Sequence, residues 1–420
     1  MKRILDQIEL FLLIFTVFML PIHIKITSLT IGALFVISLL KVDNYKSFLN
    51  LFKSFKFYIL ISPLIASILG LLNTEYIPEA KSQVEIVLSL AVFPFIFTSF
   101  SNNQIPKKIE YLLSFYLISI VFAYFICLAV AVPHYFRSRD IDVFFYSHFS
   151  SIIKGPHHLS YYVLFAIFLL VFNIIKKLEL FPRESKQLRV FKYVSLIIMI
   201  LFLFQLSSKI TILLLVIFFM IMIVYIARNK ILNYKQIITI SVVMIGMFAL
   251  MFCMPKPRAR FLSMYHSAID FKVSKKSQES TKLRYAAINA GYHLIQENFW
   301  TGVGTGDLST EMSEYYKENG IKGAYIQHIS PHNQFMRTFV MYGIFGFLGL
   351  ILLFVVMITD AVRTKNTIYL FWSVLMVFLF AVEDMFMIQD GVVFFAMFTS
   401  FYMFAFDFLK IKRKVVRVNE

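Results

Sequence analysis

The sequence predicts an all-α integral membrane protein of about 12 transmembrane helices carrying one long, partly helical extracytoplasmic loop. Three observations predict it. Hydrophobic residues make up 59% of the 420 and charged residues only 15%, where soluble domains run nearer half and a quarter. Mean hydropathy is +0.75. Apolar runs near the roughly 20 residues needed to cross a bilayer core recur along the chain. The 41 basic and 24 acidic residues give a net charge of +17, which in a soluble protein would suggest nucleic acid. Here the basic residues fall between apolar runs, where they set orientation in a bilayer, and no nucleic-acid partner is expected. Cys127 and Cys253 are the only cysteines and both lie in apolar stretches, which excludes a disulfide scaffold and a cysteine-based zinc site.

Twelve spans are expected, near 8–24, 27–41, 57–73, 84–100, 111–132, 157–175, 190–206, 210–227, 236–253, 334–358, 367–383 and 389–409. The first follows Met1-Lys2-Arg3 like a signal peptide, but Pro21-Ile-His-Ile-Lys25 stands where a small-x-small cleavage site would be. It is therefore expected to stay as an uncleaved helix. Alternating the loops from a cytoplasmic N-terminus leaves 24 basic residues inside and six in the short outside loops, namely Lys25, Lys81, Arg137, Arg139, Lys154 and Lys209. That bias puts both termini in the cytoplasm. Three regions follow: 1–253 with nine spans, a loop over 254–333 on the outer face, and 334–420 with three spans and a basic tail.

Polar residues concentrate on that outer face. Residues 133–156 carry His134, Arg137, Arg139, Asp140, Asp142, His148 and Lys154, and run into Gly155-Pro-His157-His158 at the head of the sixth span. Ser207-Ser208-Lys209 forms a tight hairpin. In the long loop, 281–298 has helical spacing: Leu283, Ala287, Ala290 and Leu294 make one apolar face, with Arg284 beside it. Gly302-Val-Gly304-Thr-Gly306 follows, a segment whose backbone N–H groups suit close approach to an anion. Asp307 is expected to cap a short helix ending at Gly320. The loop closes on Ser330-Pro-His332-Asn333. Cations and an imidazole at a lipid–water boundary suit a substrate with a phosphate head and a hydrocarbon tail.

These segments resemble the O-antigen ligase/polymerase superfamily of bacterial envelope glycosyltransferases. Pro331-His-Asn-Gln-Phe-Met-Arg-Thr-Phe-Val-Met-Tyr-Gly343-Ile-Phe-Gly346 is similar to the family's His-Asn followed by an apolar helix with a spaced Gly-x-x-Gly. The stretch from Arg284 to Gly304 is similar to its Arg-led helix running into a Gly-x-Gly turn, with Phe299 where a proline is usual. Ser208-Lys209 stands where Ser-Arg is common; lysine keeps the charge and loses the bidentate fork. Gly155-Pro-His-His-Leu-Ser is a weaker similarity. The resemblance covers roughly 155–358.

It implies a GT-C-like membrane enzyme of the bacterial inner membrane, facing the periplasm. The reaction would be a metal-independent, inverting transfer without cofactor. The donor would be an undecaprenyl-diphosphate-linked glycan, and the acceptor a hydroxyl, in the ligase branch a lipid A-core sugar. The same resemblance leaves open a polymerase of repeat units or a protein O-oligosaccharyltransferase.

Such a transfer needs a base for the acceptor hydroxyl and a positive clamp on the leaving diphosphate. His332 is the candidate base, with neighbouring cations expected to keep it neutral. Arg284, Lys209 and Arg337 are the candidate clamp, Arg337 because a cation one turn into a span requires a polar cavity. Arg137, Arg139, His157, His158, Gly302, Gly304 and Asn333 are further candidate substrate contacts. Asp140-Ile-Asp142 has the spacing of metal-dependent glycosyltransferases, but its flanking arginines argue against a metal. Glu383, Asp384 and Asp390, at the outer mouth of the last spans, are candidates for orienting a basic or hydroxylated partner. A 12-helix transporter or flippase is the competing class. The spans have few mid-membrane charges and no internal repeat, which disfavours it.

Overall fold

The computed structural model describes residues 2–41, 45–99, 105–176, 185–228 and 280–405, with isolated positions between 234 and 262. The expected span at 236–253, most of 254–279 and the basic tail after 405 lie outside the described residues. Every regular element among the described residues is helical.

Contacts divide the chain into two compact units. One comprises 1–13, 29–107 and 270–420; the other comprises 14–28 and 108–269. Helices that contribute to both include α1 (Lys2–Met19) and α2 (Ile24–Leu40). The second unit holds α8 (Ile105–Ser138), α9 (Tyr146–Ser150), α10 (Pro156–Lys176), α11 (Lys186–Leu206) and α12 (Lys209–Arg228). Ser185 caps α11 by accepting the Leu188 N–H, and Ser207, at φ 49°, ends it in a left-handed turn. α10 is the most enclosed helix of this unit and packs along α11. Tyr116 of α8 donates to the Tyr162 carbonyl at 2.8 Å.

The first unit continues with α3 (Tyr45–Phe52), α4 (Phe55–Leu60), α5 (Ser62–Leu69), a 3-10 turn at Gly70–Asn73, α6 (Ile77–Val87) and α7 (Ser89–Thr98). After the second unit it resumes with α13 (Ser280–Glu297), α14 (Leu308–Glu318), α15 (Lys322–Gln327), α16 (Gln334–Arg363), α17 (Thr367–Val382) and α18 (Gln389–Ser400). Glu9 is buried within α1, a costly position for a carboxylate. It is matched by Lys41 at 2.9 Å and by the Ser99 hydroxyl at 3.0 Å. Lys56 pairs with Asp360 at 2.7 Å, fastening α4 to α16.

Six helices among the described residues are long and apolar enough to cross a membrane: 77–98, 111–138, 156–175, 186–206, 209–228 and 334–363. A seventh arises if α2 and α3, bent by 107° at the break between them, count as one crossing. Other expected spans are shorter or broken. The run 57–73 divides into α4, α5 and the 3-10 turn, because Pro63 near the start of α5 disfavours continuous helix through the residues before it.

The segment of the first unit leading into α16 has its own core. Leu283, Ala287, Ala290 and Leu294, the apolar face expected from the sequence, are all buried. They cluster with Val303, Leu308, Met312, Tyr316, Ala324, Val340 and Met341. That core ties α13, α14 and α15 to the start of α16. The helix α16 is bent at Gly343, whose φ of 62° and ψ of −164° are not helical.

Candidate active site

The segment entering α16 is positioned by the turn between α17 and α18. Asn333 caps α16, its side chain accepting the Met336 N–H at 3.0 Å. Just before it, His332 has φ 48°, a left-handed conformation that costs a side-chain-bearing residue energy unless neighbours enforce it. The enforcing group is Asp384. Its two carboxylate oxygens accept the backbone N–H of His332 at 3.2 Å and of Asn333 at 2.8 Å. Gln334 adds a second tie by accepting the Phe386 N–H at 2.7 Å. Tyr316, fully buried, donates to the Ile329 carbonyl at 2.9 Å. Burial, with the Asp384 carboxylate nearby, pushes its phenol well above the ordinary value, so it remains a neutral donor.

Glu383, next to Asp384, joins two sequence-predicted residues. One of its oxygens lies 3.4 Å from Arg284 Nη2, and the other lies 3.6 Å from His332 Nδ1. The second distance is too long for a hydrogen bond and short enough for an ion pair once the imidazole is protonated. The sequence reading put cations around His332; the group facing Nδ1 is a carboxylate. The carboxylate carries Arg284 with it, and both His332 and Arg284 stay about one-third exposed at their side chains.

Arg337, one turn into α16, faces a cavity of about 440 Å³ lined also by Glu79, Ser82, Gln83, His328 and Ser330. Its Nη2 donates to the Gln83 side-chain oxygen at 3.3 Å, while its buried Nε has no hydrogen-bond partner among the described residues. Gln83 is itself aimed by donating to the Phe386 carbonyl at 2.9 Å. One turn, 383–388, therefore holds His332, Asn333, Arg284 and, through Gln83, Arg337.

The glycine segment does something other than the anion cradle expected of it. Gly302 (φ 73°) lies against the backbone of Met341 and Tyr342, and Gly343 (φ 62°) against that of Trp300 and Thr301, so a Cβ on either would clash with main chain. The N–H groups of Val303 and Gly304 donate to the carbonyls of Val340 and Met341, those freed by the bend in α16, and Gly302 donates to Asn298. Thr305 and Gly306 donate to the Thr74 hydroxyl. With its amides already paired inside the protein, this segment is a scaffold for the bend. Asp307 likewise differs: it stands at the start of α14 without capping it. Its carboxylate instead accepts the N–H groups of Glu75 and Tyr76 at 3.1 Å, at the entry to α6.

Arg284, Gly302, Gly304, His332, Asn333 and Arg337 thus share one unit. Lys209, Arg137, Arg139, His157 and His158 belong to the other. There, Lys209 opens α12 directly after the Ser207 turn. His157 Nε2 lies 3.0 Å from the Tyr146 hydroxyl, and His158 packs edge-on against Tyr161. Arg137 is in the last turn of α8, and Arg139, at φ 57°, sits 6.0 Å over the Phe136 ring. Asp140 accepts the Asp142 N–H at 2.9 Å, so the Asp-x-Asp pair builds a turn. Among the described residues, no group of three or more His, Cys, Asp or Glu side chains is arranged to hold a metal ion.

Gln83 was not among the sequence-predicted residues. Glu383 and Asp384 were, only as carboxylates at the mouth of the last spans that could orient a basic or hydroxylated partner, without a tie to His332 or Arg284.

The class this defines is a multi-pass helical membrane protein with an imidazole, two arginines and a polar cavity gathered in one unit. Residues 194–351 match the family described as O-antigen ligase, which supports the O-antigen ligase superfamily. The matched segment contains Lys209, Arg284, Gly302, Gly304, His332, Asn333 and Arg337, and stops short of Glu383. The match points to an O-antigen ligase/polymerase-type function; members of that family are glycosyltransferase-like enzymes, and the family implies a lipid-linked glycan and a lipid acceptor in the membrane. No curated protein matches the chain.

Proposed function

We propose that this protein transfers a glycan from undecaprenyl diphosphate to a hydroxyl of a lipid A-core sugar on the periplasmic face of the inner membrane, without a metal. The observation that carries the reading is the bridge from Arg284 through Glu383 to His332, beside the cavity that Arg337 lines. His332 takes the proton from the acceptor hydroxyl as that oxygen attacks the anomeric carbon. The bond from that carbon to the diphosphate breaks on the opposite side, which inverts the centre. Glu383 stabilises the imidazolium formed, as a carboxylate does when it orients a catalytic histidine. Arg284, with Arg337, takes up the charge on the departing diphosphate. Among the described residues, Arg284 meets Glu383 through Nη2, which leaves the other side of the guanidinium fork for that anion. The cavity falls within the usual range for small-ligand sites, roughly 300–1,000 Å³, and its hydroxyl and amide groups suit a sugar.

A polymerase, or a transferase to protein, would use the same groups with another acceptor. Deletion in the native host, read on a gel of envelope glycans, separates these. A ligase leaves the core bare while carrier-linked polymer accumulates. A polymerase leaves core bearing one repeat unit. Unchanged glycans with a defect in small-molecule uptake would overturn the enzyme reading in favour of a transporter.

A further inference from the structure

The extramembrane helix α13 has two apolar sides, and the loop core uses only one. Leu283, Ala287, Ala290 and Leu294 point into that core. On the outward side, Tyr285, Ile288 and Tyr292 recur at helical spacing and are exposed. The exposed face is itself divided: the apolar edge lies next to Arg284, and the opposite edge carries Asn289, His293 and Glu297, with His293 and Glu297 paired at 3.3 Å. A soluble loop has no use for such a division. A helix lying along a membrane surface does, because its apolar edge reaches acyl chains while its polar edge stays in water.

What covers the apolar edge follows from its continuation. After α13 the chain presents Phe299 and Trp300, the latter 66% exposed. Their rings contact each other at 5.2 Å, and Trp300 contacts Phe345 of α16 at 6.4 Å. Phe345, 71% exposed, begins an outward stripe on α16 that runs on through Leu348, Leu352 and Val355. α16 is a membrane crossing by length and composition, so that stripe faces lipid. The aromatic band sits at its upper end, the depth at which Trp and Tyr collect at membrane–water boundaries.

We infer that α13 lies in the plane of the outer bilayer boundary, with Tyr285, Ile288, Tyr292, Phe299 and Trp300 among the headgroups and first acyl carbons. Arg284 then stands at headgroup depth. The inference rests on α16 crossing the membrane and not on the catalytic reading, so either can fail without the other.

The protein contains two tryptophans, and Trp372 is fully buried with Nε1 donating to Thr399. The full chain is reconstituted into phosphatidylcholine vesicles whose acyl chains carry bromine near either the headgroup or the terminal methyl. In W372F, Trp300 is the sole emitter. Its emission is expected to be lost mainly to the shallow bromines and to be poorly accessible to aqueous iodide. Should W372F fail to fold, the difference between wild type and W300F gives the same reading, with the shallow-quenched component absent from W300F. Iodide quenching without bromolipid quenching would place the band in water and overturn the inference. Quenching by neither would mean that protein covers the band, a second copy included, and would overturn it equally.

Discussion

Two segments of this chain, 133–158 and 328–337, both combine imidazoles, arginine and turn residues at the mouth of an apolar helix. They are built differently. In the first, polar groups meet near neighbours in the chain, Asp140 with Asp142, Arg139 over Phe136 and Tyr146 with His157, and a distant tie is apolar, Phe149 against Phe202 of α11. The second is shaped by residues about fifty positions away, Glu383, Asp384 and Phe386, and by Gln83 from still farther. Local contacts make a turn. Distant ones hold a strained histidine and an arginine in a fixed relation, which is what positioning a reacting pair demands.

That contrast can be broken by substitution. His332→Ala is expected to leave the protein inserted in the membrane and to reduce glycan transfer by about 10²–10⁴-fold, the usual contribution of a positioned base. His157→Ala should reduce it far less. Equal losses at the two histidines, or full activity in His332→Ala, would remove the distinction.

Arg284→Ala should follow, at about 10²–10³-fold, the range for deleting one donor to a developing charge. Arg284→Lys is expected to recover part of that, and Arg139→Ala to change little; steady-state transfer in membranes reads all three. Asp384→Asn tests the scaffold. Replacing a charged acceptor of two buried-loop amides should cost about 1.5–3 kcal/mol, seen as a lower unfolding temperature in detergent, whereas Asp140→Asn should be close to silent.

A smaller effect concerns Glu311, on α14. Burial first, and then repulsion from Glu314, Asp307, Glu297 and Glu75, raises its carboxyl above the ordinary 4.5. The folded state binds that proton more tightly than the unfolded one, so this group favours folding below 4.5 and loses its contribution as pH rises through the raised value. Glu311→Gln should therefore raise stability at neutral pH and flatten the pH dependence of thermal unfolding; a destabilised variant would sink this. The smallest effect is expected from a chelator: transfer should persist, and a loss restored by added divalent cation would return Asp140 and Asp142 to consideration as ligands.

Much of this was legible in the sequence. The expected spans 157–175, 210–227 and 367–383 fall within a residue or two of α10, α12 and α17, because uninterrupted apolar runs leave a chain few alternatives in lipid. The run 57–73 misled, since hydropathy averages over a window and does not register the break ahead of Pro63. At the site, His332 and Arg284 stood out because each sits in a motif contiguous in the chain. Glu383 and Gln83 gain their meaning only when α6, α13, α16 and the 383–388 turn come together, and no local pattern encodes that meeting. Asp307 shows the same limit from the other side: it occupies a capping position by sequence and serves a different helix in space.

The bend at Gly343 carries a lesson for anyone who wishes to exchange parts of this enzyme with a relative. Swapping residues 280–333 alone would separate Val303 and Gly304 from the carbonyls of Val340 and Met341 that they meet, and Ile344 from its acceptor at Phe299. A graft that is to stay folded has to travel with the first turns of the helix behind it, from Gln334 through Ile344; the natural seam of the module lies below the bend, not at the mouth of the span.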